Sequence, residues 1–222
     1  MKLTAALLAL AVFTIPGGSQ NTPTVSMDYT NAVLAPSHWA LTLHPDGSGH
    51  FHSESAKTAN GEGSASMAQA ALAANVDREI RLSPAFAENV FKIARSRKYF
   101  QTDCESHLKV AYTGAKKLSY SGAEGQGSCE FNYSNDKQIQ ALAESLDAVA
   151  NTILEGAKLE ALLQYDRLGL DKEMEFLSEA AGQGRAQQLC TIRAILTRLA
   201  DDDAVLDRVK KRARTLLARA EN

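Results

Sequence analysis

Two different spacings of apolar residues divide this sequence. After residue 135 the apolar side chains recur at alternating intervals of three and four residues, the spacing of one helix face. The first series is Ile139, Leu142, Leu146, Val149 and Ile153. Before residue 135 apolar and polar residues alternate over short stretches bounded by turn formers, which is typical of β-strands. Strands followed by helices predict an α+β fold: a small antiparallel sheet with packed helices, then an all-helical C-terminal extension.

The clearest strand pair surrounds the turn Pro45-Asp46-Gly47. Pro fixes its own φ angle and Gly accepts a positive φ, so this tripeptide is typical of a hairpin turn. Of the possible registers, the one that sets Leu41 opposite Phe51 gathers the large apolar side chains on a single face. We therefore predict that Trp39, Leu41, Leu43 and Phe51 are buried together.

The other elements follow from the same two spacings. Ser83 and Pro84 are favoured at a helix N-cap and first turn, which predicts a helix from here to about residue 100. Arg78 is expected to point away from the apolar side of the strand that contains Ile80. Strands are predicted over 76–82, 107–113, 117–121 and 129–133, a Gly-rich connection over 122–127, and helices over 135–169, 171–181, 185–199 and 202–220.

The first twenty residues form a distinct segment. Lys2 is followed by an apolar run from Leu3 to Ile15 and then by small residues that end at Ser19. A short positive start, an apolar core of about 13 residues and a small-residue end are typical of a secretory signal peptide. The run is too short to anchor in a bilayer about 30 Å thick. We predict a signal peptide over residues 1–19 and a secreted or periplasmic protein without a transmembrane segment.

The remaining chain divides by composition. Residues 20–36 are polar and rich in turn formers, so we expect a disordered mature N-terminus. An α+β domain is expected over 37–153, with a flexible linker at about 53–75, where Ala, Ser and Gly dominate. Residues 154–222 form the helical extension. Because Asp and Glu number 26 against 24 Lys and Arg, the chain has no overall charge that attracts nucleic acid.

The three cysteines agree with export. Cys104 and Cys129 flank a segment rich in strand and turn signals, whereas Cys190 lies on the apolar stripe of a predicted helix. In an oxidising compartment we expect a Cys104–Cys129 disulfide and a free, buried Cys190. The cysteines are too far apart in sequence for a CxxC redox or zinc motif.

Three of the five histidines surround the hairpin. His44, His50 and His52 share its polar face in the favoured register, and neutral imidazoles on neighbouring strands are candidate ligands for a divalent metal. Asp46 and Glu54 are the candidates for an oxygen ligand. The alternative is that these histidines are ordinary polar residues on the solvent face of an amphipathic hairpin.

Two short motifs resemble catalytic ones but lack their context. Ser106-His107-Leu108-Lys109 matches the Ser-x-x-Lys pair of penicillin-recognising enzymes, but Lys109 is expected in a strand rather than on a helix. The glycines Gly122, Gly125 and Gly127 lead into a strand and lack the Lys of a phosphate-binding loop. We therefore assign no catalytic or cofactor-binding residue.

The last predicted helix carries a cluster of bases. Its members are Arg208, Lys210, Lys211, Arg212, Arg214 and Arg219. Asp201–Asp203 precede them, and acids before bases complement a helix dipole, so a solvated face is the favoured interpretation. An anionic partner is the alternative. Asp171 and Asp201–Asp203 are expected to cap the helices that follow them.

The order of these elements resembles an uncharacterised family of secreted bacterial α+β domains. The resemblance covers about residues 38–153. It rests on the hairpin of residues 41–51, the helix end at Tyr99-Phe100, the strand patterns at 109–110 and 117–120, and the following apolar stripe. The Cys-Pro-rich start of that family's first strand is replaced here by Ala35-Pro36-Ser37-His38. The resemblance implies no catalytic residue.

Three hypotheses for the function follow. The first is an exported, non-catalytic protein that binds another exported protein through the helical extension. The second is a secreted metal-dependent hydrolase that uses the hairpin histidines. The third is a binder of anionic surfaces through the basic helix. The first is favoured because no catalytic constellation stands out in the sequence, and no cofactor is expected.

Overall fold

The computed structural model describes residues 22–55 and 74–220. The predicted signal peptide and most of the predicted linker lie outside these ranges. The strands are β1 (Thr24–Thr30), β2 (His38–Leu43), β3 (Ser48–Glu54), β4 (Asp77–Arg81), β5 (Ala115–Gly122) and β6 (Gly125–Phe131). The helices are α1 (Pro84–Ser96), α2 (Lys137–Tyr165), α3 (Leu170–Gly182), α4 (Arg193–Asp201) and α5 (Asp207–Arg219), with short 3₁₀ helices at Lys98–Phe100 and Leu189–Ile192. This architecture confirms the predicted α+β class.

All six strands form one antiparallel sheet in the order β4-β3-β2-β1-β5-β6. β1 lies between β2 and β5; it is paired with β5 along its whole length and with β2 from Val25 to Thr30. The prediction of disorder over 20–36 is therefore wrong for this strand. Val25, Met27 and Tyr29 alternate with polar residues and are buried in the core. The polar composition of the segment concealed this period-two pattern.

The β2–β3 hairpin has the predicted register. Leu41 lies opposite Phe51, and Trp39, Leu41, Leu43 and Phe51 are each at most 3% exposed. The Trp39 ring lies 6.2 Å from the Phe51 ring and 5.4 Å from the Tyr29 ring, measured between centroids. The prediction is confirmed because one register sends these large side chains to the same face.

The predicted strand over 107–113 does not form. These residues pair with no strand, and all of them are exposed. The preceding segment already occupies the edge of β6, where Cys104 is bonded to Cys129. Gly127 has no side chain, which lets the carbonyl of Tyr99 approach the strand closely. Gly125 and Gly127, expected in a loop, are thus part of β6.

Helices α1 and α2 cover the apolar face of the sheet. The Ser83 hydroxyl caps α1 by accepting the Phe86 N–H at 3.3 Å, as predicted. The five apolar residues of the predicted stripe in α2 are all buried. Arg78 was expected on the polar side of its strand but shares the side of Ile80, because residues two apart in a strand face the same way. Its guanidinium binds Glu160 of α2 at 3.0 Å.

Helix α2 runs without a break past the predicted boundary at residues 153 and 154. Its first part belongs to the core under the sheet, and its last turns belong to a second core with α3, α4 and α5. This second core buries apolar residues of the last helices and of the segments that connect them: Leu189, Ile192, Leu196, Leu199, Val205, Val209, Ala213 and Leu216. Within the two described ranges, no helix is both long and apolar enough to cross a membrane.

The acidic residues of the extension do not cap its helices as predicted. Gly169 and Leu206 occupy the N-cap positions of α3 and α5. Asp171 lies in the first turn of α3, where its carboxylate binds Arg212 of α5 at 2.6 Å. Asp202 closes the turn between α4 and α5 by accepting a backbone N–H. For Asp171, ion pairing between helices therefore replaces capping.

Candidate functional site

Four connections leave the sheet at the same end: residues 31–37, 107–114 and 132–135, and the β3–β4 connection, of which residues 56–73 lie outside the described ranges. Thr30 at the end of β1 is paired with His38 at the start of β2 and with Ala115 at the start of β5. Phe131 at the end of β6 is paired with Lys116 of β5. The first three of these connections therefore lie side by side. We call them together the loop end: residues 31–37, 107–114 and 132–135.

Exposed apolar side chains are concentrated on the loop end. Ten large apolar side chains of the described residues are exposed, and six of them lie here: Val33, Leu34, Leu108, Val110, Tyr112 and Tyr133. Surface loops are normally polar, and a set of exposed apolar side chains gathered in one place is typical of an interaction site. The loop end is therefore the candidate binding site.

A tight turn holds Val33 at its apex. The Leu34 N–H donates to the Asn31 carbonyl at 3.1 Å, and the Val33 N–H donates to the Asn31 side-chain oxygen at 3.2 Å. The Asn31 amide group also donates to the carbonyl of Thr113 at 3.3 Å. Because Asn31 is only 7% exposed, these bonds fix loop 31–37 against the neighbouring loop. Turns favour small and polar residues, so local turn geometry does not explain the valine.

Thr113 and Asn132 join the other two loops. The Tyr29 hydroxyl donates to the Thr113 carbonyl at 2.6 Å. The Thr113 N–H donates to the Asn132 side-chain oxygen at 2.8 Å, and the Asn132 amide donates to the Ala111 carbonyl at 3.0 Å. The Lys116 ammonium donates to the Asn132 carbonyl at 2.9 Å. The loops that carry the exposed side chains are therefore joined by a network of hydrogen bonds.

Two charged groups belong to this hydrogen-bond network. Lys116 is buried, and burial lowers the pKa of its ammonium. Glu105 Oε2 accepts the Asn132 N–H at 2.7 Å. This hydrogen bond is the main reason that the pKa of Glu105 is lowered. Both charges are used to hold the loops rather than presented to a partner.

The disulfide Cys104–Cys129 forms as predicted and ties the chain to β6 just before loop 107–114. The Ser106 N–H donates to the Tyr133 carbonyl at 2.9 Å and extends this attachment. Cys190 is free, as predicted, but it is half-buried in a 3₁₀ helix rather than fully buried in an α-helix.

The loop end carries bases but no carboxylate. Its three loops contain Lys109 and His107 and no Asp or Glu, in a chain with 26 acidic residues. Four carboxylates border the loops, and each has a partner within the chain. Asp103 is 2.8 Å from His107 and Glu54 is 3.4 Å from His38. Glu105 accepts the Asn132 N–H, and Asp136 is 2.6 Å from Arg97. Hydrogen bonding to Asp103 raises the pKa of His107. The surface is therefore apolar with a basic character.

The hairpin histidines lie elsewhere, on the polar face of the sheet. His50 Nε2 and His52 Nδ1 each lie 2.9 Å from a different oxygen of Asp77 in β4. His44 follows β2, and its N–H donates to the Ser48 carbonyl at 2.8 Å. No group of three His, Cys, Asp or Glu side chains in the described ranges is arranged to hold a metal ion. The partner that the structure gives two of these histidines is a carboxylate.

A cleft of about 590 Å³ lies between α2 and α3. The polar side chains of α2 that line it include Glu144, Asp147, Asn151 and Glu155. Burial and the neighbouring Glu173 raise the pKa of Glu155 to about 8. The Lys158 ammonium binds the Glu173 carboxylate at 2.7 Å. Glu155 is therefore protonated at neutral pH, beside a charged carboxylate that Lys158 balances.

The bases of α5 are largely engaged within the extension. Arg208 and Arg212 bind the same carboxylate, that of Asp171, at 2.7 and 2.6 Å. Arg214 donates to a carbonyl of α4 at 2.9 Å, and Lys210 lies 3.1 Å from an acid of its own helix. These contacts account for most of the basic cluster without an external partner.

Sequence reasoning missed the loop end as a site. The alternation of Leu108, Val110 and Tyr112 indicated a strand, and the polar residues around Val33 indicated disorder. The available signal was an apolar pair, Val33-Leu34, inside a turn-like segment. Only the sheet order brings that pair beside loop 107–114.

Comparison of the chain with protein-family models and with curated proteins finds no match. The function is therefore argued from the geometry and chemistry of the chain itself.

Proposed function

We propose that this protein is an exported, non-catalytic binding protein whose binding surface is the loop end. The observation that carries the proposal is the exposure of six large apolar side chains on three loops. Asn31, Thr113 and Asn132 hold these loops in place. Preorganised loops lose little conformational entropy when a partner binds, so their apolar area contributes more fully to affinity.

The helical extension offers less to a partner. Leu196 and Ala213 are fully buried between its own helices, and Arg208 and Arg212 are bound to Asp171. Four large apolar side chains of the extension are exposed, Tyr165, Leu168, Phe176 and Leu206, against six on the three shorter loops of the loop end. The apolar surface of the extension is therefore less concentrated, and most of its bases already have partners. This contrast favours the loop end over the extension as the binding surface.

Export is supported by the Cys104–Cys129 disulfide, since such bonds persist in oxidising compartments. The signal-like residues 1–19 support it independently. Intact-mass measurement of the protein recovered from the expressing bacterium tests this part. We expect a chain shortened at its N-terminus by about that segment, and a mature protein that retains Met1 would contradict export.

A photo-reactive amino acid placed at Val33 or Tyr112 tests the binding surface in living cells. We expect irradiation to attach a partner at both positions, whatever its class. Leu168 is the matched control, because it is 87% exposed against 88% for Val33 but lies between α2 and α3. Equal yields of adduct from all three positions would refute the loop end as the binding surface.

A further inference from the structure

We infer that the loop end docks on a lipid surface, with its apolar side chains in the bilayer interface and Lys109 among anionic headgroups. This inference rests on the proposed function and names the partner. The three loops form the contact together, because the sheet places them at one end.

The side chains of the loop end match the layers of a bilayer interface. Val33, Leu34 and Leu108 are aliphatic and exposed, as a segment that enters the acyl boundary requires. Tyr112 and Tyr133 add exposed rings with a polar tip, and such rings concentrate at the level of the headgroups. Protein interfaces are enriched in Trp, Met and Arg as well as Tyr. The three loops contain none of these first three residues.

The charges of the loop end complement an anionic surface. Lys109 and His107 are the basic side chains of the three loops, and the loops themselves contain no carboxylate. The bordering carboxylates are bound within the chain: Asp103 and Glu54 lie beside histidines, Glu105 accepts the Asn132 N–H, and Asp136 binds Arg97. A basic side chain close to anionic lipid contributes favourable binding energy, whereas a carboxylate there is unfavourable.

Several backbone N–H groups at the loop tips donate hydrogen bonds within the chain instead of to water. The N–H groups of Val33 and Leu34 donate to Asn31. The Leu108 N–H donates to the Ser106 hydroxyl at 3.2 Å, and the Val110 N–H donates to the Leu108 carbonyl at 2.9 Å. An N–H group that enters an apolar layer without a partner is costly, so this internal bonding suits insertion. It also leaves these N–H groups unavailable for pairing with a partner strand.

Vesicle flotation tests the inference. The probes are vesicles of phosphatidylcholine alone and vesicles in which part of it is replaced by phosphatidylglycerol. We expect the exported protein to float with both and more with the anionic ones. The double variant Val33→Asp and Leu34→Asp should lower the bound fraction about tenfold or more on both. Lys109→Ala should lower it about fivefold on anionic vesicles and leave neutral ones unchanged.

The control variant is Leu168→Asp, which adds one carboxylate, against two in the double variant, at a side chain as exposed as Val33. It should bind like the wild type. All variants keep the same N-terminus, and equal melting temperatures establish that each is folded. A wild type that stays free of both vesicles overturns the inference, as does an equal loss in Leu168→Asp. If the protein binds neither kind of vesicle but the photo-adducts at Val33 contain another protein, the inference of a lipid partner is wrong and the proposed function stands. If the protein binds no vesicle and no photo-adduct forms, both the lipid inference and the proposed binding surface are wrong.

Discussion

The loop end and the helical extension treat apolar side chains in opposite ways. The extension buries Leu196 completely between α4 and α5, while the loop end leaves Val33 and Tyr112 in solvent. Charges differ as well, because Arg212 of the extension is bound to Asp171 and Lys109 of the loop end is exposed. In the extension, the helices thus cover most of one another's apolar surface, whereas nothing in the described structure covers the apolar side chains of the loop end. Exposure is concentrated at the loop end, which has six of the ten exposed large apolar side chains of the described residues, and this concentration indicates a partner.

The disulfide beside the loop end should give the largest change in stability. Replacing Cys104 and Cys129 together by Ala opens a cross-link between residues 25 apart in sequence. The chain-entropy relation predicts a loss of about 3–4 kcal/mol in the free energy of unfolding. Urea unfolding measures it, with Cys190→Ala as the control because that cysteine is free. A loss below about 1 kcal/mol would mean that the hydrogen bonds hold this end without the disulfide.

The core of the extension should respond next most strongly. Leu196→Ala leaves a cavity between α4 and α5, which costs about 3 kcal/mol. Arg212→Ala, on the same helix pair, removes ion pairs to Asp171 and Glu175, and a loss of at most about 1 kcal/mol is expected because these pairs are partly exposed. Thermal melts of both variants make the comparison. Equal, small shifts would show that the extension is not packed as described.

The neighbouring carboxyl groups of Glu155 in α2 and Glu173 in α3 should make the stability of the extension fall at alkaline pH. Folding raises the pKa of Glu155 from 4.5 to about 8, so the folded state holds this proton more tightly than the unfolded chain. The stability it contributes is fully present below about pH 4.5 and is lost as pH rises through about 8. Glu155→Gln cannot ionise.

The Glu155→Gln variant should therefore exceed the wild type in stability above pH 8. One pKa unit of difference corresponds to about 1.4 kcal/mol, which is the least expected gain. Melting temperatures recorded from acid to alkaline pH check this, and the two proteins should converge near pH 4. A constant difference at every pH would contradict the assigned cause.

The smallest change in stability is expected at the apex of the loop end. Val33→Ser alters a side chain that is 88% exposed, so the free energy of unfolding should stay within about 0.5 kcal/mol of the wild type. Asn31→Ala is the contrasting variant, because it removes the side-chain bonds to the Val33 N–H and the Thr113 carbonyl. It should cost about 1–3 kcal/mol. Similar losses for both variants would mean that Val33 is part of the core.

Local patterns in the sequence were enough for much of the fold. The hairpin register follows from where Trp39 and Phe51 must go, and the stripe from Ile139 to Ile153 predicts a long helix against the core. These predictions succeeded because each depends on residues close together in sequence. The Cys104–Cys129 pairing also succeeded, since few alternatives existed among three cysteines.

The candidate site depended on contacts that no local pattern contains. β1 was expected to be disordered because its apolar residues are few, and it became a strand by pairing with β5, far away in sequence. Residues 107–113 have the pattern of a strand, but the chain that precedes them already covers the edge of β6. Competition for a sheet edge is decided by the whole fold.

The sequence by itself determined the fold class, the hairpin register, the disulfide and the apolar faces of the helices, because side-chain periodicity and turn chemistry act over a few residues. Only the tertiary structure decided that Val33 and Tyr112 share one end of the molecule, and that Asp171 binds arginines instead of capping its helix. Both outcomes depend on which distant segments meet. That is set by the burial of the combined apolar surface and not by any single segment.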